Sequence, residues 1–157
     1  MGKAIREQAA QLGVLKLRET VLYARARKIR VKQEFFTVYI PDVMDAIHDY
    51  MIWHDPSLIQ DRSGIKNVTY YYLAPQVKLY VEISDKPSFW TVNNPANHAL
   101  QIRIFSETEE YIRGIASAVN ALWDDKDGIL VHMDWDWIEK QYLVKREDCI
   151  AVWKSLL

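Results

Sequence analysis

Hydrophobic and polar residues alternate most regularly between Ile129 and Ile138. Successive side chains of a β-strand point to opposite faces, so one face of such a strand would be wholly apolar. That face would consist of Ile129, Val131, Met133, Trp135 and Trp137. The opposite face would carry Leu130, His132, Asp134, Asp136 and Ile138. The pattern therefore predicts a strand with one buried face and one polar face.

Apolar residues recur with helical spacing in other segments. This spacing predicts helices at residues 3–12, from Pro41 to about Trp53, from Ser106 to about Trp123, and from Lys145 to Leu157. Ser106 and Glu109 have the spacing of a capping box, which puts the N-cap at Ser106. Gly114 lies in the middle of the third helix, where it indicates close packing against the sheet.

The segment from residue 15 to residue 33 is ambiguous. Leu15, Leu22 and Ile29 fit a helical stripe that would continue beyond Gly13. Five basic residues follow closely in the second half of this segment. We expect residues 1–33 to form a basic N-terminal helical segment or arm, and the pattern leaves open whether residues 15–33 are helix or strand.

Runs of aromatic and β-branched residues predict further strands. They lie at Phe35–Ile40, Val68–Leu73, Val77–Ser84 and Ala99–Phe105, with a short candidate at residues 88–92. Within Val77–Ser84 the alternation predicts that Lys78, Tyr80 and Glu82 lie on a face that meets water. Residues 55–66 have the composition of a loop.

The order of these elements indicates an α+β fold. We expect a single domain over residues 1–157, built on a mainly antiparallel sheet of five to six strands. Helices would pack on one face of the sheet, with a ferredoxin-like character and a C-terminal helix. A chain of 157 residues, half of them hydrophobic, is long enough to bury a sizeable core.

Charge is segregated along the chain, although the net charge is −1. Residues 1–40 hold nine Lys or Arg and three Asp or Glu, a balance of +6. The remainder holds eleven basic and eighteen acidic residues, a balance of −7. Such asymmetry favours either a basic arm for nucleic acid or self-association, in which the basic end of one subunit meets the acidic body of another.

The cellular compartment is indicated by cysteine use and by the N-terminus. Cys149 is the only cysteine, so an intramolecular disulfide is excluded and a reducing compartment is favoured. Charged residues stand where a signal peptide needs an apolar core, and no apolar run approaches the ~18 residues that span a bilayer. We expect a soluble cytoplasmic protein with no membrane partner.

The polar face of the Ile129–Ile138 segment offers candidate metal ligands. His132, Asp134 and Asp136 would stand in a row, and carboxylate oxygens with an imidazole suit a divalent metal. Glu82 is a candidate further carboxylate, although nothing in the sequence brings it near. The functional interpretation is a metal-dependent phosphodiesterase or nuclease. The structural alternative is a strand whose polar face is simply solvated.

A second candidate site is a basic run within the N-terminal segment. Its members are Arg25, Arg27, Lys28, Arg30 and Lys32. These side chains suit phosphate groups, and Tyr70, Tyr71 and Tyr72 could add surfaces on which single-stranded bases stack. The same cations would serve a small anionic ligand such as a nucleotide, and the alternative for both is a solvated face.

Two other residue groups are weaker candidates. His48 lies beside Asp45 and Asp49 on one helical face, which allows an acid–base pair but is more often a solvated surface. Cys149 lies in the first turn of a predicted helix, where a thiol pKa can fall, although a packing role is commoner. The many tryptophans indicate a core, and also an interface if the face of Trp135 and Trp137 is uncovered.

No complete catalytic or nucleotide-binding motif occurs in the chain. We therefore expect a small non-catalytic binding protein, of the accessory or inhibitor type, that binds a protein partner or an anionic ligand and forms a homo-oligomer. No cofactor is expected on this interpretation. The alternatives are the metal-dependent enzyme, with a divalent ion at His132, Asp134 and Asp136, and a single-stranded nucleic-acid binder that uses residues 25–32.

Overall fold

The computed structural model describes residues 2–25, 40–62, 69–84, 99–122 and 135–157. The strands are β1 (Glu19–Arg25), β2 (Ile59–Asp61), β3 (Thr69–Ala74), β4 (Leu79–Ser84) and β5 (Ala99–Phe105). The α-helices are α1 (Gly2–Gln11), α2 (Ile40–His54), α3 (Glu109–Asn120), α4 (Trp135–Tyr142) and α5 (Arg146–Leu156). A 3-10 turn at Val14–Lys16 follows α1. The strands pair antiparallel in one open sheet, in the order β1-β5-β4-β3-β2. The predicted α+β class and C-terminal helix are confirmed.

Strand β4 lies in the middle of the sheet, and all six of its residues are buried. The predicted hairpin of β3 and β4 is confirmed. The expectation of a face that meets water is confirmed for Lys78, which precedes β4, but is wrong for Tyr80 and Glu82, which are 0% and 3% exposed. The physical reason is that elements cover both faces of β4, so its polar residues are sealed inside.

The sheet has two differently covered faces. The helical face packs against α2, α3, α4 and α5, and its strand residues are Leu22, Tyr72, Val81, Ile83, Ile102 and Ile104. On the opposite face, the α1 face, Leu73, Tyr80 and Phe105 pack against residues from α1 and the 3-10 turn. Those residues are Ile5, Ala9 and Val14. The first helix thus lies apart from the other four.

Residues 19–25 form a strand, where the sequence had left helix and strand open. Thr20, Leu22 and Ala24 are buried at strand spacing, and Tyr23 is buried as well, by contacts at the edge of the sheet such as the one with Tyr142. The helical stripe through Leu15 and Leu22 is therefore wrong in this segment. Pairing with β5 over its whole length, from Glu19 opposite Phe105 to Arg25 opposite Ala99, decides the conformation.

Two short segments also differ from expectation. Ile40 begins α2, whereas it was predicted to end a strand; residues 35–39 of that strand lie outside the described part of the chain. Ile59–Asp61, predicted as loop, forms β2 by pairing with Tyr71–Leu73 of β3. The candidate strand at residues 88–92 lies outside the described residues.

The strand predicted at Ile129–Ile138 is wrong for its last four residues, which begin α4. Residues 129–134 lie outside the described part of the chain. Trp135 and Ile138 are buried at 8% and 1% exposure, and Asp136 between them is exposed. Trp135 therefore faces the core, with Ile138 beside it at helical rather than strand spacing.

Helix α3 begins later than the capping box predicts. Its N-cap is Thr108, and the Ser106 hydroxyl accepts a hydrogen bond from the Thr108 amide at 3.0 Å. The Glu109 carboxylate pairs instead with Arg113, four residues along the exposed side of the helix. Gly114 is needed for close packing, but against the Tyr50 ring of α2 rather than against the sheet.

Asp55 joins the end of α2 to the turn between β3 and β4. Its buried carboxylate accepts hydrogen bonds from the Ser57 amide at 2.9 Å and the Gln76 amide at 2.8 Å. Burial alone raises the pKa of Asp55, but these hydrogen bonds, with those from the Ser57 hydroxyl and the Val77 amide, prevail and lower it. The ionised form of Asp55 therefore stabilises the fold.

Substituting Asp55 with asparagine should lower stability by about 1–3 kcal/mol at pH 7, since buried donors lose a charged acceptor. Because folding lowers the pKa of Asp55, its contribution is present above the unfolded pKa of about 3.9 and is lost as pH falls through the folded pKa. Urea unfolding between pH 7 and pH 2 measures this. The difference between wild type and variant should shrink below about pH 4; a constant difference would contradict it.

Substituting Gly114 with alanine places a methyl group against the Tyr50 ring. Alanine gains about 1 kcal/mol of helix propensity, but we expect overpacking to prevail, with a net loss of about 1–2 kcal/mol. Urea unfolding of a double-mutant cycle with Tyr50→Ala provides the measurement. In the Tyr50→Ala background the same substitution should raise stability, and a loss in both backgrounds would exclude the contact with Tyr50 as the cause.

Candidate functional site

A groove of about 710 Å³ lies along the free side of β1. In the described sheet β1 is an edge strand, with β5 as its neighbour on one side. The groove is bounded by β1, by Gln101 of β5, by α5 and by the turn that joins α4 to α5. Its apolar lining comes from Val21, Leu143, Val144, Val152 and Leu156. Its volume is in the range of pockets that hold small ligands or short peptide segments.

The backbone of β1 presents hydrogen-bonding groups to this groove. The Arg18 carbonyl accepts a hydrogen bond from the Ser106 amide at 3.0 Å, on the β5 side. The Tyr23 carbonyl accepts one from the Trp153 indole at 3.0 Å, on the α5 side. Because N–H and C=O groups of alternate residues point to opposite sides of a strand, Glu19 and Val21 direct theirs away from β5.

Aromatic residues close one end of the groove. The Tyr142 ring packs on the Tyr23 ring, with 5.1 Å between the ring centroids. Trp137 contacts Tyr142 from the other side at 6.0 Å. The Tyr23 carbonyl already accepts a hydrogen bond from the Trp153 indole. The accessible part of the β1 edge therefore lies before Tyr23.

The turn between α4 and α5 places a leucine at the mouth of the groove. Leu143 is 90% exposed and has a φ of 55°, a left-handed conformation that a branched side chain rarely adopts. The Arg146 amide donates a hydrogen bond to the Glu139 carboxylate at 2.8 Å, which stabilises the first turn of the following helix, α5. An exposed apolar side chain thus lines the groove beside β1.

The charged residues of the groove differ in their pairing. Glu19 is neutralised by Arg103, whose Nη2 lies 2.8 Å from the Glu19 carboxylate. Arg18 and Lys145 are both exposed, and among the described residues no ion pair is found for either. Asp148, also exposed, supplies one acidic group at the α5 wall. The groove can therefore accept an anionic group next to Arg18 or Lys145.

Cys149 lines the groove but is not an activated nucleophile. Burial is the main cause that raises the pKa of its thiol to about 11, and the charges of Asp148 and Glu139 add to it. The thiol is therefore neutral at physiological pH. A position in the first turn of α5 does not lower the thiol pKa here, because burial, reinforced by the two acidic side chains, prevails. The packing role predicted as the commoner alternative fits this environment.

A buried ion-pair network crosses the α1 face of the sheet. The Glu82 carboxylate contacts the Arg6 guanidinium of α1, accepts a hydrogen bond from the Tyr80 hydroxyl at 2.5 Å, and lies 3.4 Å from Arg103. Burial lowers the pKa of Arg6, but the charge of Glu82 and its hydrogen bond prevail and raise it. Burial, with the same carboxylate, also raises the pKa of Tyr80. The network joins α1 to β4 and β5.

The candidate metal ligands are only partly within the described structure. His132 and Asp134 lie outside the described residues, and Asp136 is exposed in the first turn of α4. Since residues 135–138 are helical, the argument that aligned all three on one strand face does not hold. The Glu82 carboxylate is already paired with Arg6 and Arg103 and accepts a hydrogen bond from Tyr80. Among the described residues no group of three or more His, Cys, Asp or Glu is arranged to hold a metal ion.

The basic run is described only at its first residue. Arg25 ends β1, and Arg27, Lys28, Arg30 and Lys32 lie outside the described residues. The tyrosines proposed as stacking surfaces are separated by the sheet. Tyr72 is 0% exposed on the helical face and cannot stack on a base, while Tyr70 and Tyr71 are half-buried.

The helical histidine is a surface group, as the simpler alternative predicted. His48 Nδ1 lies 3.0 Å from the exposed Asp49 carboxylate. Asp45, the other proposed partner, pairs with Arg62 at 2.8 Å. The sequence interpretation missed the groove, because its walls come from segments that are more than a hundred residues apart. Arg18 and Val21 gave no signal, since their segment was ambiguous between helix and strand.

Substituting Glu82 with glutamine should destabilise the protein, because the guanidinium groups of Arg6 and Arg103 lose their shared carboxylate. Breaking a fully buried pair costs roughly 3–5 kcal/mol. Arg6 and Arg103 are 43% and 32% exposed, so water compensates in part, and we expect a loss of about 2 kcal/mol. Glu19→Gln, a more exposed partner of Arg103, is the control and should cost about 0–1 kcal/mol. Equal losses in urea unfolding would contradict the special position of Glu82.

Comparison of the chain with protein-family models, with curated proteins and with solved structures returned no match. Within the described residues, no helix combines the length and the apolar character needed to cross a lipid bilayer. Among the described residues, the groove beside β1 and the Glu82 network are two features whose chemistry bears on function.

Proposed function

We propose that this protein is a small non-catalytic binding protein whose groove takes up an extended segment of a protein partner. The observation that carries the proposal is the edge of β1, where Glu19 and Val21 direct backbone N–H and C=O groups into a groove of about 710 Å³. An incoming extended segment would pair with these groups and add a strand to the sheet. This mode of recognition uses main-chain hydrogen bonds for affinity and side-chain pockets for specificity.

The geometry limits the length of the added strand. The Tyr23 carbonyl is taken by Trp153, and the Tyr142 ring covers Tyr23. Within the described part of the chain, the open edge thus runs from Arg18 to Leu22, which corresponds to a partner strand of about four to five residues. Leu143 stands at the mouth with 90% of its surface exposed, where a partner side chain would cover it.

The charges of the groove favour an acidic residue in the partner segment. Glu19 is already paired with Arg103, so it does not oppose an anion strongly. Arg18 and Lys145 line the groove as exposed cations. The same two cations support a second candidate, a small anionic ligand such as a nucleotide, that would occupy the groove in place of a peptide.

We further propose that the protein forms a homo-oligomer in the cytoplasm. The support for self-association is the charge balance of +6 in residues 1–40 and −7 in the remainder. The support for a reducing compartment is the single cysteine, which is buried. The metal-dependent phosphodiesterase at His132, Asp134 and Asp136 and the single-stranded nucleic-acid binder at residues 25–32 stay as alternatives. Of these residues only Asp136 and Arg25 lie within the described part of the chain.

Replacing Val21 with proline should abolish strand addition, because proline removes the amide that points into the groove. Val21→Ala is the matched variant, since it shortens the side chain but keeps the amide. Peptides that bind wild type would be selected from a displayed random library, and their Kd measured by fluorescence anisotropy. We expect Val21→Pro to raise Kd at least about tenfold, or ~1.4 kcal/mol, and Val21→Ala to change it less than about threefold.

Thermal unfolding of both variants provides the control for folding. Proline is tolerated on an edge strand where its position makes no ladder hydrogen bond. As a measurement that needs no variant, hydrogen exchange on wild type should show slower exchange at the Glu19 and Val21 amides when the peptide is bound. A selection that yields no binder, or a peptide that protects neither amide, would overturn the proposal. Displacement of the peptide by ATP would indicate that both ligand classes share the groove.

A further inference from the structure

The C-terminal end of α2 carries the most exposed tryptophan among the described residues. Trp53 has 83% of its surface exposed, and the adjacent Ile52 is 40% exposed. The neighbouring aromatic residues point inward instead. His54 packs between Tyr50 and Tyr111, with ring centroids 4.5 Å and 5.2 Å away. Trp53 is thus excluded from this cluster and turned toward solvent.

Acidic side chains accompany Trp53 along the same side of α2. Asp49 lies one helical turn before Trp53, so the two side chains are neighbours on the helix surface. Its side chain is 79% exposed, and within the described residues its ion-pair partner is His48. Asp45, a further turn back, pairs with Arg62. We call Asp49, Ile52 and Trp53 the Trp53 surface.

The Trp53 surface has the chemistry to bind a basic segment. A guanidinium or ammonium group over an indole ring is attracted by the π electrons, and Trp is the strongest such partner. The Asp49 carboxylate adds an opposite charge within reach of the same cation. Tryptophan is also enriched among the residues that dominate protein interfaces.

The chain itself contains a segment of matching chemistry. Residues 25–32 read Arg-Ala-Arg-Lys-Ile-Arg-Val-Lys and hold five cations with two β-branched apolar residues. No acidic residue interrupts the sequence between Glu19 and Glu34. The cations would serve Asp49 and the Trp53 ring, and the apolar residues would cover Ile52. Residues 1–40 and the remainder carry opposite charge, +6 and −7.

We propose that the Trp53 surface binds the basic run, residues 25–32, of a second copy of this chain. Two such contacts related by a two-fold axis would close a dimer, because each subunit supplies one surface and one basic run. The inference rests on the homo-oligomer part of the proposed function and not on the groove at β1. Raising the salt concentration should weaken the dimer, since its contacts include exposed charges.

The test uses the full chain and sedimentation velocity over a range of protein concentrations. One variant, Asp49→Lys with Trp53→Ala, removes the surface; a second, Arg27→Glu with Arg30→Glu, removes the basic run. Each alone should weaken dimerisation at least about tenfold. The matched control, Glu107→Lys with Leu12→Ala, makes the same charge change and also trims one exposed leucine. Glu107 and Leu12 are both exposed, just before α3 and just after α1, and this control should dimerise like wild type.

Mixing the two defective variants provides the sharpest outcome. In the mixed dimer, the intact basic run of one variant meets the intact surface of the other. Dimers should therefore reappear in the mixture although neither variant dimerises alone. A monomeric wild type, equal weakening by the control, or no recovery on mixing would each overturn the inference. Peptide binding at the β1 groove, compared in the Val21→Ala and Val21→Pro variants, is measured separately and distinguishes failure here from failure of the groove proposal.

Discussion

The arrangement of the elements around the sheet depends on the pairing of one buried charge, the Glu82 carboxylate. It lies on the central strand, where no residue of β4 is exposed, and an isolated ion in such a place is strongly unfavourable. Arg6 from α1, Arg103 from β5 and the Tyr80 hydroxyl meet this demand together. The position of α1 is therefore fixed by electrostatics as well as by the contacts of Ile5 and Ala9 with the sheet.

The two edge strands of the described sheet, β2 and β1, differ in length and in covering, and this difference bears on binding. On one side, β2 is only three residues long, and a short edge strand offers little for another chain to pair with. On the other side, β1 is seven residues long, and among the described residues it is covered by Trp153 and Tyr142 near Tyr23. Natural sheets usually protect such an edge, which is why this portion of β1 supports the proposed binding of a partner segment.

The sequence predicted elements with a clear local pattern better than elements whose conformation depends on distant segments. The helices at residues 2–11, 40–54, 109–120 and 146–156 and the hairpin of β3 and β4 were recognised because each has a clear period or a turn between two apolar runs. The strand β1 and the start of α4 were not, because pairing with a distant strand and packing on a distant core decide them. Asp134-Trp135-Asp136-Trp137 alternates by composition, yet Trp135 and Ile138 are the residues that α4 buries.

The candidate site was harder to predict than the fold, for the same physical reason. The groove requires β1, β5 and α5 to meet, and none of these contacts leaves a local mark in the sequence. Glu82 was placed on a face that meets water because alternation cannot reveal that α1 covers that face. Cys149, in contrast, was assigned correctly to packing, since a lone cysteine in an amphipathic helix is usually buried.

The placement of β1 also has a consequence for how the chain folds as it is synthesised. Its partner β5 lies about eighty residues later, and the Trp153 indole that caps the Tyr23 carbonyl comes 130 residues later. Contacts between such distant segments form slowly, because a long loop must close before they contribute. During translation β1 therefore cannot pair with β5 until β5 has left the ribosome. A nascent chain in this state is open to chaperones, and to neighbouring copies on the same messenger RNA.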